Sequence, residues 1–282
     1  MRKQGRPETK HDWSGNHGYG NRSVGNGARM STIRIDRGGA IRTITLTRPE
    51  KRNAMNLEML AALEAAFQET PAKEERVIVL RAEGPVFCAG IDLAERQRTP
   101  AGRGESPVEG MLDAMEHCPL PIVGIVHGAA IAGGNELALH CDFVVASTKA
   151  RFGMSLAQIG LAPTWFLAKK LVEVCGPVAS REILLLGDPL PAQRMYDLGI
   201  VSRLAEPDDL EAEAQKVVGR LAANAPLSLK AMKALLVREM RFRDGIDHDD
   251  IDGLIQAARE SADAEEGIAA MLEKRPPNFT GE

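Results

Sequence analysis

The sequence predicts an α/β fold followed by a helical C-terminal region. Two alternating β-branched runs around Gly38 and Gly39 predict a β-hairpin over Ile33 to Leu46. Helical spacing from Leu57 to Phe67, behind Asn56 as a cap, is followed by the apolar run Val77 to Leu80. A strand, a helix and a second strand in this order imply a parallel crossover.

The same alternation of helix and strand continues through the next part of the chain. From Pro226 onward the spacing of apolar residues is almost wholly helical. The other predicted elements are a helix through Met111, Met115 and His117, a strand over Pro121 to Val126, a short helix from Gly134 to His140, a strand over Asp142 to Ala146, helices over Trp165 to Val174 and Val178 to Leu186, and a short strand at Val201.

Length and composition indicate an ordinary globular chain with an appended piece. The chain has 282 residues, of which 44% are hydrophobic and 26% charged. Residues 1–30 hold six glycines and six Lys or Arg against two acids, without apolar periodicity, which predicts a disordered tail. This tail is either an arm for a partner or a bland extension. We expect a folded core over residues 31–225 and a helical oligomerisation region over residues 226–282.

Charge and cysteine usage exclude several classes of function. The net charge is -4, and since the tail is basic the rest is more acidic still, which argues against nucleic acid as a partner. Cys88, Cys118, Cys141 and Cys175 form no C-x-x-C pair, so we expect reduced thiols and neither a zinc site nor disulfides. No apolar stretch is long enough to span a bilayer or to form a signal peptide. We therefore expect a cytoplasmic protein with no metal and no membrane partner.

Two glycine-rich segments are candidate ligand sites. In Val86 to Leu93 and in His127 to Ala138 small residues follow a predicted strand and lead into a helix. Small residues allow close approach of a ligand, and unpaired N–H groups at a helix start can hold an anion or a developing oxyanion. Neither segment matches a phosphate-loop pattern, so tight packing turns are an equally good interpretation. Glu136 stands in the first turn of a short apolar helix, where burial would raise its pKa; otherwise it is an ordinary stabilising carboxylate.

Four segments occur in order along the chain: Thr47 to Asn56, Phe87 to Leu93, Gly128 to Asp142, and Glu266 through Arg275 to Gly281. Together they resemble the crotonase superfamily, the enoyl-CoA hydratase and isomerase family. The resemblance covers about Ser31 to Gly281. It implies a spiral of ββα repeats, a helical C-terminal region that packs across a trimer or hexamer, and an acyl-CoA thioester as substrate, with coenzyme A part of that substrate and no separate cofactor.

The resemblance also implies roles for single residues. The backbone N–H groups of Ile91 and Gly133 would form an oxyanion hole for the thioester carbonyl, where charge develops during the reaction. Glu136 would be the general acid and base. The segment around Arg98 to Pro107 either covers the pocket or is a plain surface loop. Residues implied in binding coenzyme A or the acyl chain are Lys51, Arg52, Ala54, Ala89, Gly90, Asp92, Leu156, Trp165 and Lys274, and Ser155, Gln158, Thr164, His140 and Tyr196 are further candidates to orient water or shape the pocket.

One departure from the family pattern affects the predicted reaction. Hydratases of this family typically carry a second glutamate where this sequence has Leu156, and no Asp or Glu occurs between Arg151 and Val172. Hydration with Glu136 as the retained carboxylate is our first prediction, and double-bond isomerisation is the close alternative, because one carboxylate can move a proton between two carbons. Another enolate reaction (decarboxylation, dehalogenation or thioester hydrolysis), a weakly catalytic acyl-CoA-binding protein and an RNA-binding protein remain as further alternatives.

Overall fold

Nine strands form two β-sheets in the computed structural model, which describes residues 32–98 and 106–281. The strands are β1 (Ile33–Gly38), β2 (Ile41–Leu46), β3 (Val77–Ala82), β4 (Ile122–Val126), β5 (Ala129–Ile131), β6 (Phe143–Ser147), β7 (Arg151–Gly153), β8 (Leu190–Pro191) and β9 (Arg203–Ala205).

Ten α-helices surround these sheets within the described ranges. Short 3₁₀ turns occur at Pro49–Lys51, Ala157–Ile159, Pro207–Asp209 and Met240–Arg243, and a π-helical turn covers Glu182–Leu186. The helices are α1 (Leu57–Gln68), α2 (Leu93–Arg98), α3 (Pro107–His117), α4 (Gly133–Leu139), α5 (Trp165–Arg181), α6 (Ala192–Asp197), α7 (Leu210–Ala223), α8 (Pro226–Glu239), α9 (Asp249–Arg259) and α10 (Ala262–Glu273).

The larger sheet has the order β1-β2-β3-β4-β6-β9, and the smaller has the order β5-β7-β8. β1 and β2 pair antiparallel, with Ile35 opposite Ile44, which confirms the predicted hairpin. β2, β3, β4, β6 and β9 run parallel, and Ile44 lies opposite Leu80 in the first of these pairings. The predicted parallel crossover through α1 is therefore confirmed.

The central strands of the larger sheet are buried on both faces. Ile78 and Leu80 of β3 point into the main core, whereas Val77 and Val79 pack with the buried face of α7 on the opposite side. This alternation follows from the two-residue period of a strand. The N-cap of α1 is the one that the sequence predicts, since the Asn56 side chain accepts a hydrogen bond from Met59 N at 3.0 Å.

A buried ion pair ties β2 to the loop that precedes β3. The Arg42 side chain is fully buried, and its Nε donates to Glu75 Oε1 at 2.9 Å while its Nη1 donates to the Ala66 carbonyl at 2.9 Å. The hydrogen bonds from Arg42 lower the pKa of Glu75 to about 2. Because each charge has a close partner, this part of the interior tolerates two ionised side chains.

Several predicted elements are corrected by the structure. The strand predicted at Val201 lies at Arg203–Ala205, so Val201 is buried but precedes it. The segment predicted as a strand before Leu93 is extended chain with single bridges at Cys88 and Ile91. The short strands β5, β7 and β8 carry no sequence pattern that predicts them.

The helices predicted between Trp165 and Leu186 and the helical region after Pro226 follow the prediction, whereas α6 and α7 correspond to no predicted element. α5 is interrupted at Gly176, which has a φ of 74° and is followed by Pro177. Two helical segments therefore exist, as expected. The predictions for the tail over residues 1–30 and for the loop over residues 99–105 lie outside the described residues. The division of the chain at residues 30 and 225 stays a prediction.

Candidate active site

Three of the predicted segments meet along the chain from Cys88 to Asp92. On one side, Cys88 N donates to the Ala129 carbonyl at 3.1 Å, and Ile131 N donates to the Cys88 carbonyl at 2.9 Å. On the other side, Met55 N donates to the Gly90 carbonyl at 2.7 Å, and Asp92 N donates to the Met55 carbonyl at 2.9 Å. The structure therefore brings the two glycine-rich segments and the predicted coenzyme A loop together.

The backbone N–H groups of Ile91 and Gly133 are unused donors. Because Gly90 O and Asp92 N face Met55 in a parallel pairing, the N–H of Ile91 points away from Met55. Gly133 is the first residue of α4, where the helix offers no internal acceptor for its N–H. Within residues 32–98 and 106–281 neither group donates a hydrogen bond. Their action as an oxyanion hole stays a prediction.

Glycine is required where these segments approach each other. A Cβ on Gly90, whose φ is +95°, would lie 2.9 Å from the Ile131 carbonyl oxygen and 3.2 Å from Gly133 N. A Cβ on Gly134 would lie 2.2 Å from the Cys88 carbonyl oxygen. These distances are too short for any other residue, so the small side chains of the motif hold Gly90 directly beside Gly133.

The residue before α4 has a strained backbone. Ala132 has φ 49° and ψ -117°, a conformation that residues with a Cβ rarely adopt. Its N–H donates to the Gly153 carbonyl at 2.7 Å, and its own carbonyl accepts from Asn135 N and Glu136 N at 2.9 Å and 3.0 Å. These hydrogen bonds hold the strained turn in place and fix the direction in which α4 starts.

Four of the residues predicted to bind coenzyme A are held together. Arg48 Nη2 donates to Asp92 Oδ2 at 3.1 Å, and the same guanidinium donates to the Ala54 carbonyl. Ala89 N donates to the Arg52 carbonyl at 3.0 Å. Arg48, which is not among the predicted site residues, therefore joins the two loops.

Glu136 is a buried carboxyl group. Its side chain lies in the first turn of α4 and is 1% exposed, and its Oε2 has no hydrogen-bond partner in the described part of the chain. The pKa of Glu136 is raised to about 8, mainly by burial and then by the charge of Glu109, while Lys170 acts in the opposite direction. The carboxyl group thus holds a proton at neutral pH, and the predicted effect of burial is confirmed.

His140 lies one helical turn after Glu136 and is also buried. Its Nδ1 is 2.8 Å from the Glu136 carbonyl oxygen, and its ring stacks on Phe166 with centroids 5.6 Å apart. Burial, followed by the charge of Lys170, lowers the pKa of His140 to about 4, so the ring is neutral. Its Nε2 lies 3.8 Å from Glu116 Oε1, which is not an ion pair when the ring is neutral.

Glu116 is paired instead with Lys170. Lys170 Nζ lies 2.6 Å from Glu116 Oε1. Burial opposes ionisation of Glu116, but the charge of Lys170 and its hydrogen bond to the carboxylate outweigh burial and lower the pKa of Glu116. Two cavities of about 240 Å³ and about 300 Å³ are lined by Glu116 and Lys170, and neither is lined by Ile91, Gly133 or Glu136. The smaller cavity is lined by Leu139 and His140 at the C-terminal end of α4, and the larger one has no residue of α4 in its lining.

The structure places Leu156 in apolar surroundings. Leu156 is half-buried and packs against both the main core and a small cluster that contains Ile159, Leu161 and Ala264. No carboxylate stands at this position of the chain, as the sequence indicates. An acyl-binding role for Leu156 stays a prediction.

Trp165 and Lys274 lie at helix ends. Trp165 begins α5, and its ring stacks on His248 with centroids 4.7 Å apart. Lys274 ends α10 in a left-handed conformation with φ 57° and is exposed. Lys51 is an exposed residue at the end of a 3₁₀ turn. The roles of these three residues in binding stay predictions.

Some of the further candidates have structural partners. Thr164 caps α5 by accepting from Leu167 N at 3.4 Å, and Gln158 Nε2 donates to the Leu186 carbonyl at 3.1 Å. Tyr196 is 45% exposed. The residues predicted from the sequence do not include the charged residues around His140 and Glu136, namely Glu109, Glu116 and Lys170. Two spacings in the sequence point to these residues, because each places a pair on one face of a helix: four residues between Glu136 and His140, and seven between Glu109 and Glu116.

The described part of the chain holds neither a metal-binding cluster nor a membrane-spanning helix. No cluster of three or more His, Cys, Asp or Glu side chains suited to a metal ion occurs among residues 32–98 and 106–281. Over the same ranges, no helix has the length and apolar character needed to cross a membrane.

Comparisons with known proteins agree on one class. The family model described as Enoyl-CoA hydratase/isomerase matches residues 36–282. A Thermus thermophilus protein assigned as an enoyl-CoA hydratase is 36% identical over 251 residues, covering 86% of this chain and 98% of its own. The enoyl-CoA isomerase/hydratase of Mycosarcoma maydis is 30% identical over 253 residues, covering 84% of this chain and 92% of its own.

A solved structure shares the same architecture. Methylmalonyl-CoA decarboxylase in complex with 2-nitronate-propionyl-CoA superimposes with a TM-score of 0.83 at 25% identity, covering 89% of this chain and 99% of that chain. The fold is therefore the crotonase fold. This chain belongs to the enoyl-CoA hydratase/isomerase family.

Proposed function

We propose that this protein is an acyl-CoA enzyme that adds water to a 2-enoyl-CoA thioester, with Glu136 as general acid and base. The observation that carries the proposal is a buried carboxyl group with a pKa of about 8, three residues after Gly133 and its unused N–H. A carboxyl group that keeps its proton near neutral pH can both donate and accept a proton during turnover.

The two free N–H groups are suited to donate hydrogen bonds to the carbonyl oxygen of a thioester. Adding water at C3, or removing a proton next to the carbonyl, moves negative charge onto the thioester oxygen. Donors from Ile91 and Gly133 would stabilise that charge, and the loss of one such donor typically costs about 100-fold to 1,000-fold in rate. The close approach of Gly90 to Gly133 supports this role, because it holds both donors on a rigid backbone.

Isomerisation of a 3-enoyl-CoA is the second candidate function. The apolar surroundings of Leu156 favour it, since one carboxylate is sufficient to carry a proton from C2 to C4. The Mycosarcoma maydis relative is named for both reactions. Decarboxylation, the reaction of the methylmalonyl-CoA decarboxylase neighbour, also passes through a thioester enolate and is a third possibility.

The proposed substrate site includes the loops joined by Arg48. Lys51, Arg52 and Ala54 on one loop and Ala89, Gly90 and Asp92 on the other would hold the coenzyme A part. Leu156 and Trp165 would face the acyl chain, and Lys274 would reach a phosphate of coenzyme A.

We also propose that α8 mediates self-association into a trimer or hexamer. Large apolar side chains on α8 are exposed in the single chain, and water contact with such a surface is unfavourable. The residues concerned are Leu227, Met232, Leu235 and Leu236, with Met240 just beyond the helix.

The test is product analysis with matched variants. The wild-type protein, Glu136→Gln and the control Glu64→Gln are incubated with 2-enoyl-CoA and 3-enoyl-CoA thioesters of several chain lengths, and products are identified by mass and chromatography. Glu64 is a suitable control because it lies on α1, where its carboxylate accepts an exposed hydrogen bond from Gln68 one turn further along the helix.

Each outcome assigns the reaction. Gain of one water, abolished in Glu136→Gln and retained in Glu64→Gln, supports hydration. A double-bond shift without change of mass supports isomerisation. Failure of the wild-type protein to bind any acyl-CoA, or unchanged turnover in Glu136→Gln, contradicts the proposal.

A further inference from the structure

A second carboxyl group lies close to Glu136 and is not explained by the fold. Glu109 stands in the first turn of α3 and is half-buried. Its Oε1 is shielded from solvent and has no hydrogen-bond partner among the described residues. A carboxylate that serves only to stabilise α3 would gain from a donor or from solvent contact, and this oxygen has neither.

Two approaches between α3 and α4, of Glu116 to His140 and of the Glu109 charge to Glu136, place Glu109 and Glu136 at the same end of the helix pair. Glu109 and Glu116 are seven residues apart and share one face of α3, as Glu136 and His140, four residues apart, share one face of α4. α3 packs on α4, and Glu116 approaches His140 to within 3.8 Å. From that contact, Glu109 lies about 10 Å back along α3 and Glu136 about 6 Å back along α4, toward the N-terminal end of each helix.

The charges around Glu136 come from three helices. Burial is the largest effect that disfavours ionisation of Glu136, and the charge of Glu109 on α3 adds to it. The charge of Lys170 on α5 favours ionisation. Lys170 is itself paired with Glu116 at 2.6 Å, and His140 of α4 is neutral. Burial and the nearby charge of Glu109 therefore keep the proton on the Glu136 carboxyl group.

We propose that Glu109 is the second acid–base group of this site and performs the task that Leu156 cannot. The inference rests on the proposed function and deepens it: the protein is a two-carboxyl hydratase whose second carboxyl comes from α3 instead of the chain after β7. The geometry behind it is the pair of unpartnered carboxyl oxygens on facing helices.

The step that this pair performs balances in protons and electrons. The Glu109 carboxylate takes one proton from water as the water oxygen forms a bond to C3 of the 2-enoyl thioester. The C2–C3 π electrons move toward the thioester oxygen and return to form the C2–H bond with the proton that Glu136 donates. The product is the 3-hydroxyacyl thioester, and one proton then passes from Glu109 back to Glu136.

The test compares two reactions in a set of variants. The variants are Glu109→Gln, Glu136→Gln, the double variant Glu109→Gln/Leu156→Glu, and the control Asp113→Asn, whose side chain is 57% exposed one turn further along α3. For each variant, kcat and KM for hydration of 2-enoyl-CoA and for isomerisation of 3-enoyl-CoA are measured across pH, together with coenzyme A thioester binding and thermal unfolding.

If Glu109 acts as proposed, Glu109→Gln lowers kcat for hydration by about 100-fold or more. KM and acyl-CoA affinity stay close to the wild-type values, and isomerisation, which needs Glu136 alone, is largely retained. The basic limb of the pH profile moves to lower pH, because a negative charge near Glu136 has been removed. The double variant regains hydration, and Asp113→Asn behaves as the wild type.

Other results overturn the inference in distinguishable ways. Hydration by Glu109→Gln near the wild-type rate, with an unmoved pH profile, removes Glu109 from the chemistry and leaves the proposed function intact. Equal loss of both reactions at unchanged affinity makes Glu109 a positioning residue only. A wild-type protein that isomerises without hydrating contradicts a two-carboxyl hydratase, and one that converts neither thioester overturns the proposed function together with this inference.

Discussion

The imidazole Nδ1–H of His140 donates a hydrogen bond to the main-chain carbonyl oxygen of Glu136, 2.8 Å away. A carbonyl oxygen can only accept, so the proton is on Nδ1 and Nε2 carries the lone pair. Both side chains are uncharged at neutral pH, because burial raises the pKa of Glu136 to about 8 and lowers that of His140 to about 4. The site thus offers one exchangeable carboxyl proton and no imidazolium charge.

The raised pKa of Glu136 predicts a pH-dependent stability. The folded protein holds this proton up to about pH 8, whereas the unfolded chain releases it near the ordinary value of 4.5. The stabilisation is complete below that ordinary value and is lost as pH rises toward 8. Between these limits the free energy of unfolding should fall with pH more steeply in the wild type than in Glu136→Gln, by up to about 1.4 kcal/mol per pH unit.

Urea denaturation of the wild type and of Glu136→Gln at a series of pH values measures how the free energy of unfolding of each protein changes with pH. The contribution of His140 has the opposite sign, since its lowered pKa favours folding as pH rises, but it is common to both proteins and cancels. Parallel stability curves for the two proteins would show that Glu136 does not titrate with a raised pKa.

Close packing at Gly134 predicts that a single added methyl group lowers the stability of the fold. A Cβ there would lie 2.2 Å from the Cys88 carbonyl oxygen, so Gly134→Ala should destabilise the fold by about 1–3 kcal/mol and displace the backbone beside Ile91. Gly219→Ala is the matched control, because no atom lies within 4 Å of a Cβ there and alanine favours the helix by about 0.5–1 kcal/mol. Chemical denaturation of both variants checks the prediction, and equal stabilities would refute it.

The buried pair of Arg42 and Glu75 predicts that the free energy of unfolding depends strongly on the Glu75 carboxylate. Glu75→Gln removes the close partner of the buried Arg42 charge, leaving Glu69 at 3.7 Å, and should cost about 3–5 kcal/mol in the free energy of unfolding. In the wild type, this stabilisation is present above the ordinary pKa of 4.5 and is lost as pH falls toward about 2, since the pKa of Glu75 is lowered. Glu211→Gln, which removes an exposed pair with Arg81, should cost about 1 kcal/mol or less. A similar cost for both variants, measured by chemical denaturation, would argue against the buried pair.

The exposed apolar side chains of α8 predict self-association. Leu235 and Leu236 are 58% and 66% exposed in the single chain. Light scattering after size-exclusion chromatography should give the mass of a trimer or hexamer, and Leu235→Lys/Leu236→Lys should shift the protein to smaller species, while Leu57→Lys on α1 should not. A monomeric wild-type protein would contradict the prediction.

Local features of the site can be predicted from the sequence. The hairpin over β1 and β2, the Asn56 cap and the short helix that carries Glu136 follow from residue order and spacing, because hydrophobic period and capping act over a few residues. The strands β5, β7 and β8 escape prediction, since elements of two or three residues have no period to detect. Glu109 escapes it because it lies far from Glu136 in the chain.

The sequence by itself therefore determined the order of most helices and strands and the family resemblance. It also determined that Glu136 is retained, whereas Leu156 stands where hydratases of the family typically carry a second glutamate. Only the tertiary structure decided that Gly90 lies beside Gly133, that burial raises the pKa of Glu136 to about 8, and that Glu109 on α3 acts on that carboxyl group. The physical reason is that spacing along the chain reports local conformation, whereas desolvation and Coulomb interactions depend on distances between elements that meet only after folding.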